Sequence, residues 1–370
     1  MADSKQTGVR IEPALEAILE QARWAPSGDN TQPWRFEVRG ARHVVVHGFD
    51  TRSHCVYDLD GHPSQLSLGA LLESLALAAS RHGLKMEAQR RPGMPEHLPT
   101  FDAVFIDAPG LAPDPLAAFL PQRTVQRRKL STRSLRVSEK AALAASLPPG
   151  FGVLWLEGSR TRFACARLMF NNARLRLIMP EAHQVHCDVI EWNARYSADR
   201  MPDQALGVDA MTAKLMRWIM RSWRRVDFFN TWLAGTLAPR LQMDLLPGWY
   251  CAAHFALLAE SPPRHVDDYV AAGRAMQRFW LTATELGLQM QPELTPLIFA
   301  RYVRERRTFS RTEGLQEVAQ ELAVQTRTLL GKEHTERAVF LGRIGAGPPA
   351  QARSLRRPLS ELIVAPVAGS

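Results

Sequence analysis

The sequence predicts an α+β protein made of two related units, and three observations carry that expectation. Two helical segments, LSLGALLESLALAASRH at 66–82 and DDYVAAGRAMQRFWLTATELGLQMQP from residue 267, share one build: a small-residue start (LGALL, AGRAM), an aliphatic middle and a Gly-Leu exit. Each is followed by a short strand-like piece, HGLKMEA or LGLQMQP, and a spacing of about 200 residues between two such pairs is the mark of an internal duplication. A proline-rich stretch around Pro109, Pro113 and Pro115 then separates the units, and the order of elements restarts after it. Two homologous halves forming an intrachain pseudo-dimer are therefore expected, residues 1–112 and residues 113–370. The second half carries a helical insertion at about 160–235 and an extended C-terminal tail.

The elements follow in order. Leu15, Ile18, Leu19 and Ala22 recur at helical spacing, so 13–24 reads as an amphipathic helix. WRFEV and HVVVHG, parted by Gly40, read as adjacent strands or a hairpin. The 66–82 segment is apolar enough to be buried on most sides and stops at Gly83; LKMEAQ and FDAVFIDA read as strands after it. Beyond the proline boundary come RTVQRRKLSTRSL, a helix at 138–146 and the strand FGVLWLE. Residues 160–235 read as mostly helical, with Trp192, Trp218, Trp223 and Trp232 set among basic residues at spacings that suit helices packed on a platform. YCAAHFALLAE reads as a buried strand, and the 267-onward helix ends at Gly287. The strand AVFLGRIG leads into GAGPPAQARSLRRPLSELIV, whose prolines favour an extended course over a neighbour.

With 370 residues and 46% hydrophobic content, the chain can fill a substantial core. Cys55, Cys165, Cys187 and Cys251 lack any short paired spacing, which argues against a zinc knuckle or a disulfide framework and fits a reducing cytoplasm. No apolar run approaches the roughly 18 residues of a membrane span, so neither a membrane partner nor export is expected. The net charge of +9 favours anionic partners without choosing among them. Arginines cluster at 123, 127 and 128; at 221, 224 and 225; at 301, 304, 306 and 307; and at 353, 356 and 357.

The segment APSGDNTQPW, Ala25 to Trp34, suits neither helix nor strand and reads as a ligand loop. Pro26 fixes one backbone angle and Gly28 widens the choice at another; Ser27, Asp29 and Asn30 supply short polar groups, and Gln32 an amide. Arg123, Arg127 and Arg128 can give bidentate, charge-assisted bonds to a phosphate. His54, His62, His183, His186 and His254 are possible proton donors, but their spacings match no helical metal motif, and no metal is expected. The His183, His186, Cys187 and Asp188 group is the one place where a metal calls for a check.

The whole string APSGDNTQPW resembles the signature of the flavin-dependent nitroreductase family, where an APSxxNxQPW loop touches the flavin. RTVQRRKL is similar to the family's phosphate-holding arginine segment as found in internally duplicated members. AGRAMQRFWLTATELGL and FLGRIGAGPPAQARSLRRPLSEL echo its later helix and its C-terminal glycine-then-basic pattern. The resemblance implies a nitroreductase-like (FMN-dependent) fold, with FMN held by Pro26, Ser27, Gly28, Asn30, Gln32, Arg123, Arg127, Arg128, Arg353, Arg356 and Arg357. The first half has the loop but only a lone Arg10 where phosphate-binding arginines belong, and the second has the arginines but no loop. One FMN per chain, between the halves, is expected.

The resemblance further implies an oxidoreductase using NAD(P)H to reduce a small aromatic or quinone-like acceptor, in a monomeric pseudo-dimer or a homodimer. No catalytic side chain is singled out, since a flavin carries the chemistry. The alternative is an FMN-sequestering protein with little turnover, its insertion closing the flavin off. A nucleic-acid binder using Trp218, Trp223 and neighbouring arginines is disfavoured, and no nucleic-acid partner is expected.

Overall fold

The computed structural model describes residues 11–233 and 235–365. Arg10 lies outside the described residues. Helix α1 (Pro13–Ala22) opens with proline in its first turn and buries Leu15, Ile18, Leu19 and Ala22, the stripe that its spacing predicts. A hairpin follows, β1 (Trp34–Gly40) and β2 (His43–Gly48). Helix α2 (His62–Ser80) starts four residues before the apolar pattern suggests, because Asp58 accepts bonds from the Ser64 backbone N–H and hydroxyl and holds its first turn. It leaves through Gly83 at φ +65° into β3 (Leu84–Arg90), which pairs antiparallel with β4 (Thr100–Asp107).

The second run of elements is α3 (Val137–Ala145), β5 (Phe151–Leu156) and a helical excursion that contains α4 (Ser159–Leu177), α5 (Pro180–Val189), α6 (Ala210–Ile219) and α7 (Trp223–Trp232). The excursion does not end near 235: it continues through a π-helical turn at Leu241–Leu245 and a short helix at Leu246–Trp249. Strand β6 (Ala253–Ala259), helix α8 (Val266–Glu285) and strand β7 (Leu288–Pro292) come next. Helices α9 (Thr295–Arg304) and α10 (Leu315–Leu330) and a short helix at Lys332–Arg337 precede β8 (Ala338–Ala346), and β9 (Ile363–Val364) is the last strand among the described residues.

These strands make two main sheets, ordered β9-β1-β2-β4-β3 and β7-β8-β6-β5. From β1 and from β5 the order is the same, each sheet antiparallel apart from the parallel β1–β9 pair. One and the same offset carries Gly69 onto Gly273, Gly83 onto Gly287 and Leu84 onto Leu288. The α+β class read from the sequence is the one the structure has.

Helices α2 and α8 lie in the middle and serve both cores. One core joins α1, α2 and the first sheet with Val266, Val270 and Leu281 of α8; the other joins α8 and the second sheet with Leu66 and Ala70 of α2. Their crossing is backbone against backbone. A Cβ on Gly69 would sit 2.0 Å from the Val270 carbonyl oxygen, and one on Gly273 would sit 2.0 Å from that of Leu66. Around this contact Gln277 Nε2 donates to Ser74 Oγ at 2.9 Å, and Arg274 and Arg278 both reach Glu73 at 2.9 Å.

Two of the four tryptophans of the insertion depart from the platform expectation, while Trp192 packs on the Ile190, Leu206 and Val208 cluster and Trp223 lies edge-on to His183. Trp218 and Trp232 are exposed, and α6 has no fully buried residue.

Candidate functional site

Four stretches far apart in sequence meet beside the end of α1: the 25–34 loop, the arginine segment from Arg123, the 195–200 stretch of the insertion, and the tail at 351–357. The loop is strained. Asp29, Asn30 and Gln32 have φ of +50°, +61° and +50°, in the left-handed region that costs most side chains about 1–3 kcal/mol each. Asn30 and Asp29 tolerate it best among non-glycines. Gln32 is held there by bonds from every side: its N–H donates to Ser27 Oγ at 3.0 Å, its Nε2 donates to the Asn30 and Ala198 carbonyls at 3.1 and 2.9 Å, and its Oε1 accepts from the Arg357 N–H at 2.9 Å. The amide expected to face a ligand thus ties loop, insertion and tail together. Asn30 Nδ2 reaches the Ala198 and Arg200 carbonyls at 3.2 and 3.3 Å, while its Oδ1 is buried without a partner. Pro26 is buried, and Gly28 is exposed with open space where a Cβ would stand.

The arginines converge on the entry to this loop. Arg123 Nη2 donates to the Trp24 carbonyl at 3.1 Å and its guanidinium lies 4.5 Å from the Trp280 ring centre. Arg356 Nε donates to the Ala25 carbonyl at 2.9 Å, and Arg353 stacks on the Trp24 ring at 5.1 Å and reaches the Arg123 carbonyl at 3.4 Å. Among the described residues no carboxylate pairs with Arg123, Arg353 or Arg356. Burial first, and then Arg356 and Arg353, push Arg123 well below the ordinary arginine range; burial, Arg353 and Arg23 bring Arg356 down to about 9. Guanidinium groups keep their proton, so the unfavourable environment is felt as a concentrated positive potential. The Nε atoms of Arg123 and Arg353 are buried and unpartnered.

Arg127 points elsewhere. Its Nη1 and Nη2 reach the Ala205 carbonyl at 3.4 Å and Met201 Sδ at 3.1 Å, and burial lowers it to about 10 against the pull of Asp29. Asp29 is itself raised by burial, with Arg127 and then Arg176 offsetting part of the rise. Arg128 is exposed, its backbone N–H donating to Gln126 Oε1 and its guanidinium without a partner among the described residues. Arg357 pairs with Asp199 and Glu361 at 2.9 and 3.2 Å. Of the residues expected at the site, Ser27, Asn30, Gln32 and Arg357 form one network, Arg123, Arg353 and Arg356 a second, and Arg127 is bonded to the insertion at Met201 and Ala205.

Sequence reasoning passed over Arg343. It lies buried in the middle of β8, donating to Glu293 Oε1 at 3.0 Å and to the Arg127 carbonyl at 2.9 Å, which fixes the arginine segment on the second sheet. Glu293 Oε2 meets His254 Nδ1 at 2.7 Å, and His254 Nε2 meets the Gly248 carbonyl at 2.8 Å. Acceptors at both ring nitrogens require a doubly protonated imidazole, and Glu293 holds its pKa well above the ordinary value despite burial. A charged residue inside the apolar run AVFLGRIG was the available signal.

His183, His186 and Cys187 spend their polar atoms otherwise: His183 Nε2 on the Met220 carbonyl at 2.9 Å, His186 Nε2 on the Tyr57 hydroxyl at 3.0 Å, and Cys187 Sγ on the Met220 carbonyl at 3.3 Å. No group of three or more His, Cys, Asp or Glu poised for a metal occurs among the described residues.

No family model matches the sequence. The protein MT1398 of Mycobacterium tuberculosis (strain CDC 1551 / Oshkosh), described as uncharacterized, is 23% identical over 350 residues, covering 94% of this chain and 47% of its own length. The chain therefore spans about half of that curated relative. Among solved structures, a nitroreductase-like family protein from Bacillus cereus overlaps 69% of this chain and 97% of its own at 14% identity and a TM-score of 0.34. The FMN-dependent nitroreductase NfnB from Mycobacterium smegmatis, in complex with NADPH, overlaps 66% and 96% at 14% identity and a TM-score of 0.32. Likeness of that degree assigns neither a cofactor nor a reaction to this chain.

Proposed function

We propose that the chain is an FMN-binding oxidoreductase of nitroreductase type, two duplicated halves around a single flavin, with NAD(P)H as reductant and a small aromatic or quinone-like molecule as acceptor. The observation that carries the reading is the cluster of Arg123, Arg353 and Arg356 without a carboxylate, set against a strained polar loop. Buried, unpartnered donors on Arg123 and Arg353 fit a phosphate, and the unpartnered Asn30 Oδ1 fits a donor on a polar ligand. Arg123, Arg353 and Arg356 would hold the phosphate, while Ser27 and Asn30 would face the polar chain. Gln32 would act by bracing the loop, its amide already bonded to protein. A bound flavin supplies hydride and electron transfer; the protein orients it and keeps water away. Repetition of the strand order in the two sheets, and the matched glycines of α2 and α8, support the duplication.

A second reading, a flavin-sequestering protein with little turnover, is favoured by one contact: the insertion lies directly on the loop through Ala198 and Arg200. Purified holo-protein tests both. Near-equimolar FMN that bleaches with NADPH supports the enzyme, and a yellow form that persists supports sequestration. Arg123→Gln with Arg356→Gln is expected to lower FMN retention at least about a hundredfold, from two charge-assisted phosphate bonds at roughly 1.5–3 kcal/mol each. Two flavins per chain, none, or full retention in that double variant would refute the site.

A further inference from the structure

Helices α6 and α7 face solvent with the wrong chemistry for a water-facing surface. On α6, Met211, Leu215 and Trp218 are exposed at successive turns of one stripe, Met211 at 81%. The opposite face is already used: Ala213, Met216 and Met220 pack on Ile190, Leu206 and Val208. Helix α7 repeats the arrangement, with Phe228 and Trp232 exposed one turn apart, Trp232 at 74%, and Leu233 beside them. The two stripes are joined by an edge-on contact between Trp218 and Phe229 at 5.8 Å and by Arg225, which lies 4.6 Å from the Trp218 ring centre and donates to the Trp218 carbonyl.

Cations flank both stripes. Lys214, Arg217, Arg221 and Arg224 have no carboxylate or other polar partner among the described residues, unlike most arginines elsewhere in the molecule, which are paired. Apolar and aromatic side chains bordered by free Lys and Arg, on short helices lying along the surface, are the pattern of an interfacial segment. The rings and aliphatic tips enter the headgroup region while the cations meet anionic lipid. No helix among the described residues is long and apolar enough to cross a membrane; these two would lie on one.

We propose that α6 and α7 form a docking surface for an anionic phospholipid bilayer. This departs from the sequence expectation of no membrane partner, which weighed spanning segments alone, and it does not rest on the flavin reading. Charge complementarity selects the occupant. A second copy of the chain docking through the same face would set these unpaired cations against their own counterparts.

The experiment is flotation of the full-length protein with vesicles of phosphatidylcholine carrying about 30% phosphatidylglycerol, beside pure phosphatidylcholine vesicles, at low and high salt. Binding to the anionic vesicles is expected to exceed binding to neutral ones at least about tenfold and to weaken with salt. Trp218→Ser with Trp232→Ser is expected to reduce it at least about tenfold. Lys214→Gln with Arg221→Gln and Arg224→Gln should remove the preference for anionic lipid. Val324→Ser, at another exposed apolar residue, should change nothing, and unaltered circular dichroism certifies that each variant is folded. Absence of flotation with anionic vesicles at low salt would overturn the proposal. So would flotation indifferent to the tryptophan pair, or a dimer or an acidic protein complex that the tryptophan variant dissolves while vesicles are ignored.

Discussion

Replacing Gly69 by alanine tests the central crossing. The new methyl would lie 2.0 Å from the Val270 carbonyl oxygen and 2.8 Å from Gly273 Cα, both backbone atoms that cannot swing aside. The helices must part by about 1 Å or more, and overpacking of that kind costs roughly 1–3 kcal/mol, here toward the upper end. The same displacement stretches the 2.9 Å bond from Gln277 to Ser74 past useful length, a further loss of about 1 kcal/mol. Alanine returns about 1 kcal/mol through its better helix propensity. The net expectation is a destabilisation of about 3 kcal/mol, read as a lower urea midpoint at unchanged m-value and a melting temperature about 4 °C lower. Gly152→Ala is the control: nothing lies within 4 Å of its Cβ position, and its effect should stay within about 0.5 kcal/mol. A double variant with Gly273→Ala should cost less than the sum, since the first substitution has already opened the crossing. A Gly69→Ala protein that unfolds at the wild-type midpoint would refute the reasoning.

Buried histidines set two limits on stability in pH. His62 stacks on Tyr269 with ring centres 3.7 Å apart, and burial together with Arg301 holds its pKa down at about 3. The unfolded chain takes up that proton first, so stability is lost as pH falls below about 6.5, by up to about 1.4 kcal/mol per unit; His62→Phe should flatten this acid slope in urea titrations. His254 is held above its ordinary pKa, so its contribution is present below about 6.5 and drains away as pH rises through the raised value. His254→Gln should cost about 3 kcal/mol near neutrality and lessen the alkaline decline, because it strips one partner from buried Glu293. Asn30→Ala should speed limited proteolysis at 195–200, where its amide bonds hold the chain.

What sequence reveals here follows from which forces are local. Helices α1, α2 and α8 and the main-sheet strands except the short β9 were legible because each carries its own periodicity and a stop signal, such as Gly83 or Gly287. Residues 293–337 yielded no secondary-structure reading beyond their arginines, although Leu315, Ala319, Leu322 and Thr326 mark a buried stripe on α10; nothing in the repeat logic called for three more helices before β8. The residue types of the loop were informative, yet the fate of the Gln32 amide was not, since its partners lie at Ala198 and Arg357 and depend on tertiary approach. The platform role given to Trp218 and Trp232 failed for a related reason: spacing defines a stripe, but not whether anything covers it. Arg128 reads like its neighbour Arg127, and only the course of the backbone separates the exposed side chain from the one that reaches Met201 and Ala205.

The parallel pairing of Phe36 with Ile363 and Glu37 with Val364 has a consequence for the order of events during synthesis. The first sheet can form its hairpin early, but the free edge of β1 stays unmatched until Ile363 and Val364 have emerged. Arg353 and Arg356 leave the ribosome just before that pair. A nascent chain therefore carries the 25–34 loop without those charges until residues 353–356 have been made. Closure of that sheet edge and completion of the arginine cluster arrive together, as one step.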